Sequence, residues 1–232
     1  ILAEFITAAI GAQCMIWDTS PAAAELEQRM MEWLREAMGL PSGMEGVIQD
    51  SASSASLAAL LTAREVATGF SSNQDGISGK LRVYCSSEAH SSIEKAMGIC
   101  GMGRNNLVKV GVDAQLRLLP GQLERLIIAD LAADYIPCAV VATMGTTGTV
   151  SVDPLKEIAQ VCEKYDLWLH VDGAFAGTAL MLPEYRWMSE GMERVDSFVF
   201  NPHKWMFTNF DCSVFFVKNP QLLIRTFEIL PE

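Results

Sequence analysis

A lysine amine, an aspartate carboxylate and two imidazoles fall where this chain passes from apolar runs into polar ones, a combination suited to carbonyl chemistry. Lys204 stands in Asn201, Pro202, His203, Lys204, Trp205, just after the apolar run Ser197 to Phe200. That run reads as a buried strand, so the amine lies where strand ends open into a site. Half-shielded there, a lysine gives up its proton more readily, because burial penalises the ammonium form. The neutral amine can then form a Schiff base with a carbonyl. A lone lysine in such a turn is most often simply solvated, so its neighbours decide the reading.

Asp172 directly follows the apolar run Leu167 to Val171. A carboxylate half-buried in that position needs a cation, and a protonated pyridine nitrogen is one such partner. A helix cap or an ion pair with Lys204 would also satisfy it. His90 lies at a strand-to-helix junction, where an imidazole can stack on a planar ring or relay a proton. Of the three histidines, His170 falls inside a strand and is assigned to the core, while His203 borders the lysine. Ser51, Ala52 and Ser53 open a helix, offering hydroxyls and backbone N–H groups to a phosphate that small side chains let come close. A serine-rich helix start is ordinarily only a cap. Together, a phosphate cradle, a ring-nitrogen carboxylate, a stacking imidazole and a Schiff-base lysine describe pyridoxal phosphate, whose ring accepts the electrons of a carbanion.

The elements that must position these groups follow from hydrophobic pattern. Ser20 as N-cap and Pro21 in the first turn begin a packing helix with Leu26, Met30, Trp33, Leu34 and Ala37 at helical spacing, ended by Gly39. Leu57, Leu60 and Leu61 mark the helix after Ser51, which ends near Gly69. Residues 71–79 are polar and glycine-bearing, and read as mobile. Strands are expected over residues 81–85, 107–110, 138–144, 167–171, 197–200 and 213–217. Helices are expected over 91–100, 121–133 and 154–165, the last capped by Asp153. Short apolar strands alternating with helices predict an α/β fold, a mostly parallel sheet covered on both faces in three αβα layers. Ligands then bind beyond the carboxyl ends of the strands.

Composition narrows the partners. Seventeen basic and 28 acidic residues give a net charge of -11, which argues against nucleic acid and anionic membrane surfaces and for a small-molecule partner. Cys14, Cys85, Cys100, Cys138, Cys162 and Cys212 form no CxxC pair, so no metal site is expected, and they read as reduced core thiols of a cytoplasmic protein. The 232 residues read as one large domain. The chain opens on Ile1 inside a helical pattern and closes on Glu232 straight after an apolar run, so a fragment of a longer protein is expected.

The chain resembles the group II pyridoxal-phosphate-dependent amino acid decarboxylases, most of all the aromatic-L-amino-acid (tyrosine and tryptophan) decarboxylases. The resemblance rests on SPAAAELEQRMMEWL, GVIQDSASSASLAALLTAR, SSEAHSSIEKA, VATMGTTGTVSVDPL, LWLHVDGAFAG, DSFVFNPHKWM and NFDCSVFFVK. It implies the fold-type I large domain over residues 1–232, with the N-terminal segment and the C-terminal small domain lying outside it, and it implies a homodimer. Residue by residue, Lys204 would carry the cofactor, Asp172 would hold the ring nitrogen, and Ser51, Ala52 and Ser53 would form the phosphate cradle. His90 would stack on one ring face with Ala174 on the other, Thr147 would stand near the cofactor, and Asn201 and His203 would border the lysine.

The implied reaction is decarboxylation of an L-amino acid, aromatic by resemblance, to the amine and carbon dioxide, with Lys204, His90 and Asp172 as the catalytic residues. Relatives that run oxidative deamination to aldehydes, or that take acidic or diamino substrates, are the alternatives. Three positions depart from the family's usual glycine, alanine and tyrosine: Asp50, Gly173 and Phe175. Asp50 is expected to point away from the cradle, since a second negative charge beside a phosphate would weaken binding.

Overall fold

Strands form in this chain where β-branched and aromatic residues cluster in short runs, and helices where small and long apolar residues recur on one stripe. The computed structural model describes residues 2–14 and 16–229. The helices are α1 (Leu2–Ile10), α2 (Pro21–Met38), α3 (Ala52–Ala67), α4 (Ser72–Asp75), α5 (Ser91–Ile99), α6 (Pro120–Ala132), α7 (Leu155–Tyr165), α8 (Pro202–Trp205) and α9 (Pro220–Phe227). The strands are β1 (Glu45–Gln49), β2 (Leu81–Ser86), β3 (Leu107–Val110), β4 (Ile136–Thr143), β5 (Trp168–Asp172), β6 (Ser197–Phe200) and β7 (Ser213–Val217).

They build one seven-stranded sheet in the order β1-β7-β6-β5-β4-β2-β3. β2 to β6 pair in parallel, and β7 runs antiparallel to both of its neighbours, β6 and β1. Two apolar layers sandwich the sheet. On one face α3 and α5 pack with Val83, Cys85, Val141, Val199 and Phe215. On the other, α2, α6 and α7 pack with Tyr84, Val140, Leu169, Val171, Phe198 and Phe200. The expected three-layer, mostly parallel α/β architecture is therefore present.

Several local expectations are corrected. On α2 the stripe Leu26, Met30 and Trp33 faces outward, and Met31 and Met38 are the residues buried. Ser20 sits at the N-cap of α2 but makes no side-chain capping bond. Asp153 does not cap α7. It is buried, and its two oxygens accept from Leu118 N–H (2.7 Å) and Thr143 N–H (2.8 Å), which ties the end of β4 to the loop before α6. Residues 71–79 contain the single-turn α4, and Asn73 Nδ2 donates to the carbonyl of Thr226 (2.7 Å). Cys14 is exposed and Cys212 half-buried, each in a loop, whereas the other four cysteines are buried. Among the described residues no helix is long and apolar enough to cross a membrane.

Candidate active site

At the carboxyl edge of the sheet a cavity of ≈ 210 Å³ gathers residues from five separate places in the chain. Ser51, Ala52, Ser53, His90, Thr147, Asp172, Ala174, Asn201, His203 and Lys204 all line it. The convergence follows from parallel topology. The last residues of β4, β5 and β6 end side by side, with Thr143 paired to Asp172 and Asp172 to Val199.

Local structure explains each placement. Ser51 is extended (φ −153°, ψ 156°) and caps α3, its Oγ accepting from Ser54 N–H (3.1 Å). Cap formation of this kind stabilises a helix by about 1 kcal/mol, and the N–H groups of Ala52 and Ser53, residues that line the cavity, have no partner within the helix. Asp50 is exposed, and its carboxylate accepts from the Ser54 hydroxyl, outside the cavity lining. His90 is itself the N-cap of α5. Its Nδ1 accepts from Ser92 N–H (3.2 Å) and is also hydrogen-bonded to Ser92 Oγ (2.9 Å). Because Nδ1 accepts, the proton of a neutral His90 stands on Nε2.

The polar residues around Lys204 are oriented in the same way. Ser213 Oγ donates to Asn201 Oδ1 (2.6 Å), which leaves the Asn201 amide N–H groups free to donate. His203 Nδ1 accepts from Cys212 N–H (2.9 Å), so its proton also stands on Nε2. Donors from Asn201, His203 and the start of α3 therefore meet at one cavity, which suits an anion.

Asp172 is 6% exposed. One of its oxygens accepts from Ala174 N–H (3.0 Å), and it forms no ion pair among the described residues. Burial pushes its pKa up, against the Ala174 N–H and the positive charges of His90 and Lys204, which pull it down. A cationic group beside its second oxygen would remove the cost of burying the charge. Beside it Thr143 Oγ1 is buried without a hydrogen-bond partner, although Thr143 lines the cavity. The donor set, the under-partnered carboxylate and the orphaned hydroxyl fit a phosphorylated, nitrogen-protonated ring.

Lys204 corrects one expectation. It is exposed rather than half-shielded, because it lies on the single-turn helix α8 and not in a closed turn. Its Nζ stands 5.9 Å from the ring centroid of Phe175, which meets Trp205 edge-on at 5.2 Å. Ser92, Thr143, Gly145, Phe175 and Phe210 also line the cavity. Hydrophobic pattern does not single them out; Thr143 ends β4 as Asp172 ends β5, a strand-end position that could have found it had the strand been ended one residue earlier than 144.

Comparison with known proteins agrees with this geometry. The model of the pyridoxal-dependent decarboxylase conserved domain matches residues 1–232. Aromatic-L-amino-acid decarboxylase of Manduca sexta is 42% identical over 100% of this chain and 48% of its own length. A solved structure of Catharanthus roseus tryptophan decarboxylase in complex with L-tryptophan superposes with TM-score 0.93 at 34% identity, covering 99% of this chain and 49% of that one. That of Oryza sativa TDC with PLP and tryptamine gives 0.94 at 35%, again covering 99% and 49%. The chain spans about half the length of the relatives it matches. With one family model covering residues 1–232 and a relative 42% identical over the whole of this chain, the chain belongs to the pyridoxal-dependent decarboxylase family.

Proposed function

We propose that this chain is the cofactor-binding large domain of a pyridoxal-phosphate-dependent decarboxylase that converts an L-amino acid, aromatic in the leading case, to its amine and carbon dioxide. The observation that carries the reading is Asp172, a buried carboxylate with one hydrogen bond, opening into the same cavity as Lys204. When bound, pyridoxal phosphate supplies a conjugated ring that takes up the electron pair left by the departing carboxylate.

The chain's own residues would do the rest. Lys204 Nζ would hold the cofactor through its aldehyde carbon. Asp172 would keep a proton on the ring nitrogen and so stabilise the negative charge that develops. Ser51, Ala52, Ser53, Asn201 and His203 would hold the phosphate. His90 would lie on one ring face and Ala174 on the other, with the His90 Nε2–H available to the substrate carboxylate. Thr147 and Phe175 would close the sides of the cavity against water.

A homodimer is part of the same proposal. Leu2, Phe5, Ile6 and Ile10 on α1, and Leu26, Met30 and Trp33 on α2, are exposed apolar residues that a second copy would cover. A cytoplasmic location, supported by the six unpaired cysteines, completes it.

The test is to incubate the full-length protein and its Lys204→Ala variant with pyridoxal phosphate and a panel of aromatic, acidic and diamino amino acids, measuring both amine and aldehyde. Amine formation by the parent and none by the variant is expected. Unchanged turnover in the variant would overturn the mechanism, and an aldehyde product would assign the oxidative reaction instead.

A further inference from the structure

Histidine at position 170 has no contact with the cavity, yet it occupies a place where an apolar residue would pack at lower cost. It is fully buried, and burial pushes its pKa down to about 4, so it is neutral at physiological pH. Nε2 is hydrogen-bonded to Ser56 Oγ (3.0 Å) and Nδ1 to Ser197 Oγ (2.9 Å). Ser197 Oγ also accepts from Trp168 Nε1 (3.0 Å). One imidazole thus joins α3, β5 and β6.

Each of these three elements delivers a different part of the site. Ser56 lies one helical turn beyond Ala52 of the cradle. His170 lies two residues before Asp172 and, by the two-residue period of a strand, on the same face of β5. Ser197 opens β6, which leads into Asn201 and Lys204. Helix α3 approaches the sheet closely because the residues it buries there include Ala55, Ser56, Ala59 and Ala63. Small residues permit that approach but set no register along it, since a smooth apolar surface tolerates sliding. A hydrogen bond, with its narrow range of length and angle, does set a register.

We propose that Ser56 and His170 form a cross-tie that fixes the span between the α3 phosphate cradle and the Asp172 carboxylate, making both of them positioning residues for the cofactor. The inference rests on the pyridoxal phosphate reading above, because a ligand gripped at both ends is what makes a fixed span useful. The tie matters little to a ligand that engages one end alone.

That difference supplies the test. Dissociation constants for pyridoxal phosphate, for pyridoxal, which lacks the phosphate, and for inorganic phosphate are measured on the full-length apoprotein and on Ser56→Ala and His170→Phe. In both variants pyridoxal phosphate should bind about tenfold more weakly while pyridoxal and phosphate each change less than about twofold, since only simultaneous engagement of both ends depends on the span. Combining the two substitutions should weaken binding no further than the worse single change, because either one removes the tie. Equal weakening of pyridoxal and pyridoxal phosphate, or no change in either, would overturn the proposal. Should His170→Phe fail to fold, Ser56→Ala, which introduces the best helix former, decides by the same ratio. Failure of the parent protein to bind pyridoxal phosphate would instead overturn the reading on which the inference rests.

Discussion

His203 and Cys212 are tied to each other twice. The backbone N–H of His203 donates to the Cys212 carbonyl (3.4 Å), and the N–H of Cys212 donates to His203 Nδ1 (2.9 Å). Antiparallel β7 begins at the next residue, Ser213, which in turn holds Asn201. The one reversed strand of the parallel region therefore orients two of the side chains that flank Lys204.

The tautomer imposed on His203 makes its Nε2–H a donor to the proposed phosphate. His203→Phe keeps a ring against Phe210, whose centroid lies 4.8 Å away, and removes that donor. A hydrogen bond to a charged group contributes about 1.5–3 kcal/mol, so affinity for pyridoxal phosphate should fall about tenfold or more. Fluorescence titration measures it. Binding equal to the parent's would show that His203 does not face the phosphate.

Gly173 is fixed by its neighbour Phe198. A Cβ there would lie 2.6 Å from Phe198 Cε2 and 3.1 Å from the carbonyl oxygen of Val199. Phe198 is fully buried and cannot swing aside. Gly173→Ala should therefore destabilise the fold by about 1–3 kcal/mol through overpacking. Gly173→Ala combined with Phe198→Leu should recover most of the loss. Thermal melts of both variants check the pair, and a single variant as stable as the parent contradicts the packing argument.

Two buried groups set opposing pH dependences. Burial pushes Asp153 from 3.8 up to about 6, so across that window the folded chain keeps a proton the unfolded chain has lost. Its contribution is complete below the unfolded value and is lost as pH rises to the folded one. His170 goes from 6.5 down to about 4, so its contribution is complete above 6.5 and is lost as pH falls. Between these values the two offset one another. His170→Phe removes the second, and the variant should lose stability with rising pH between about pH 4 and 6, Asp153 contributing up to about 1.4 kcal/mol per pH unit and buried Asp172, whose pKa is also pushed up, acting in the same direction. Urea midpoints at several pH values test this; a variant profile that rises with pH would refute it.

Much of the architecture was legible in the sequence because its strands are continuous apolar runs and its helices carry stripes, patterns that depend only on local spacing. The α/β class, the mostly parallel sheet and the core position of His170 followed from that. The convergence of Asp172, Lys204, His90 and the Ser51 to Ser53 segment followed too, since parallel strands bring their carboxyl ends to one edge. Where the pattern misled, tertiary contacts decided. The α2 stripe Leu26, Met30, Trp33 is helical in spacing, yet it lies on the side away from this chain's own core. Asp153 has the sequence position of a cap, but two backbone N–H groups from elsewhere claim its carboxylate. Sequence by itself determined the charged and ring-bearing groups Lys204, Asp172, His90 and His203 and the Ser51 to Ser53 cradle, because strand-end position, helix start and residue type are local properties. Only the tertiary structure decided which nitrogen of His90 and His203 carries the proton, that Thr143 stands unpartnered beside Asp172, and that His170 links the cradle helix to the Asp172 strand, because each of these depends on atoms brought together from distant parts of the chain.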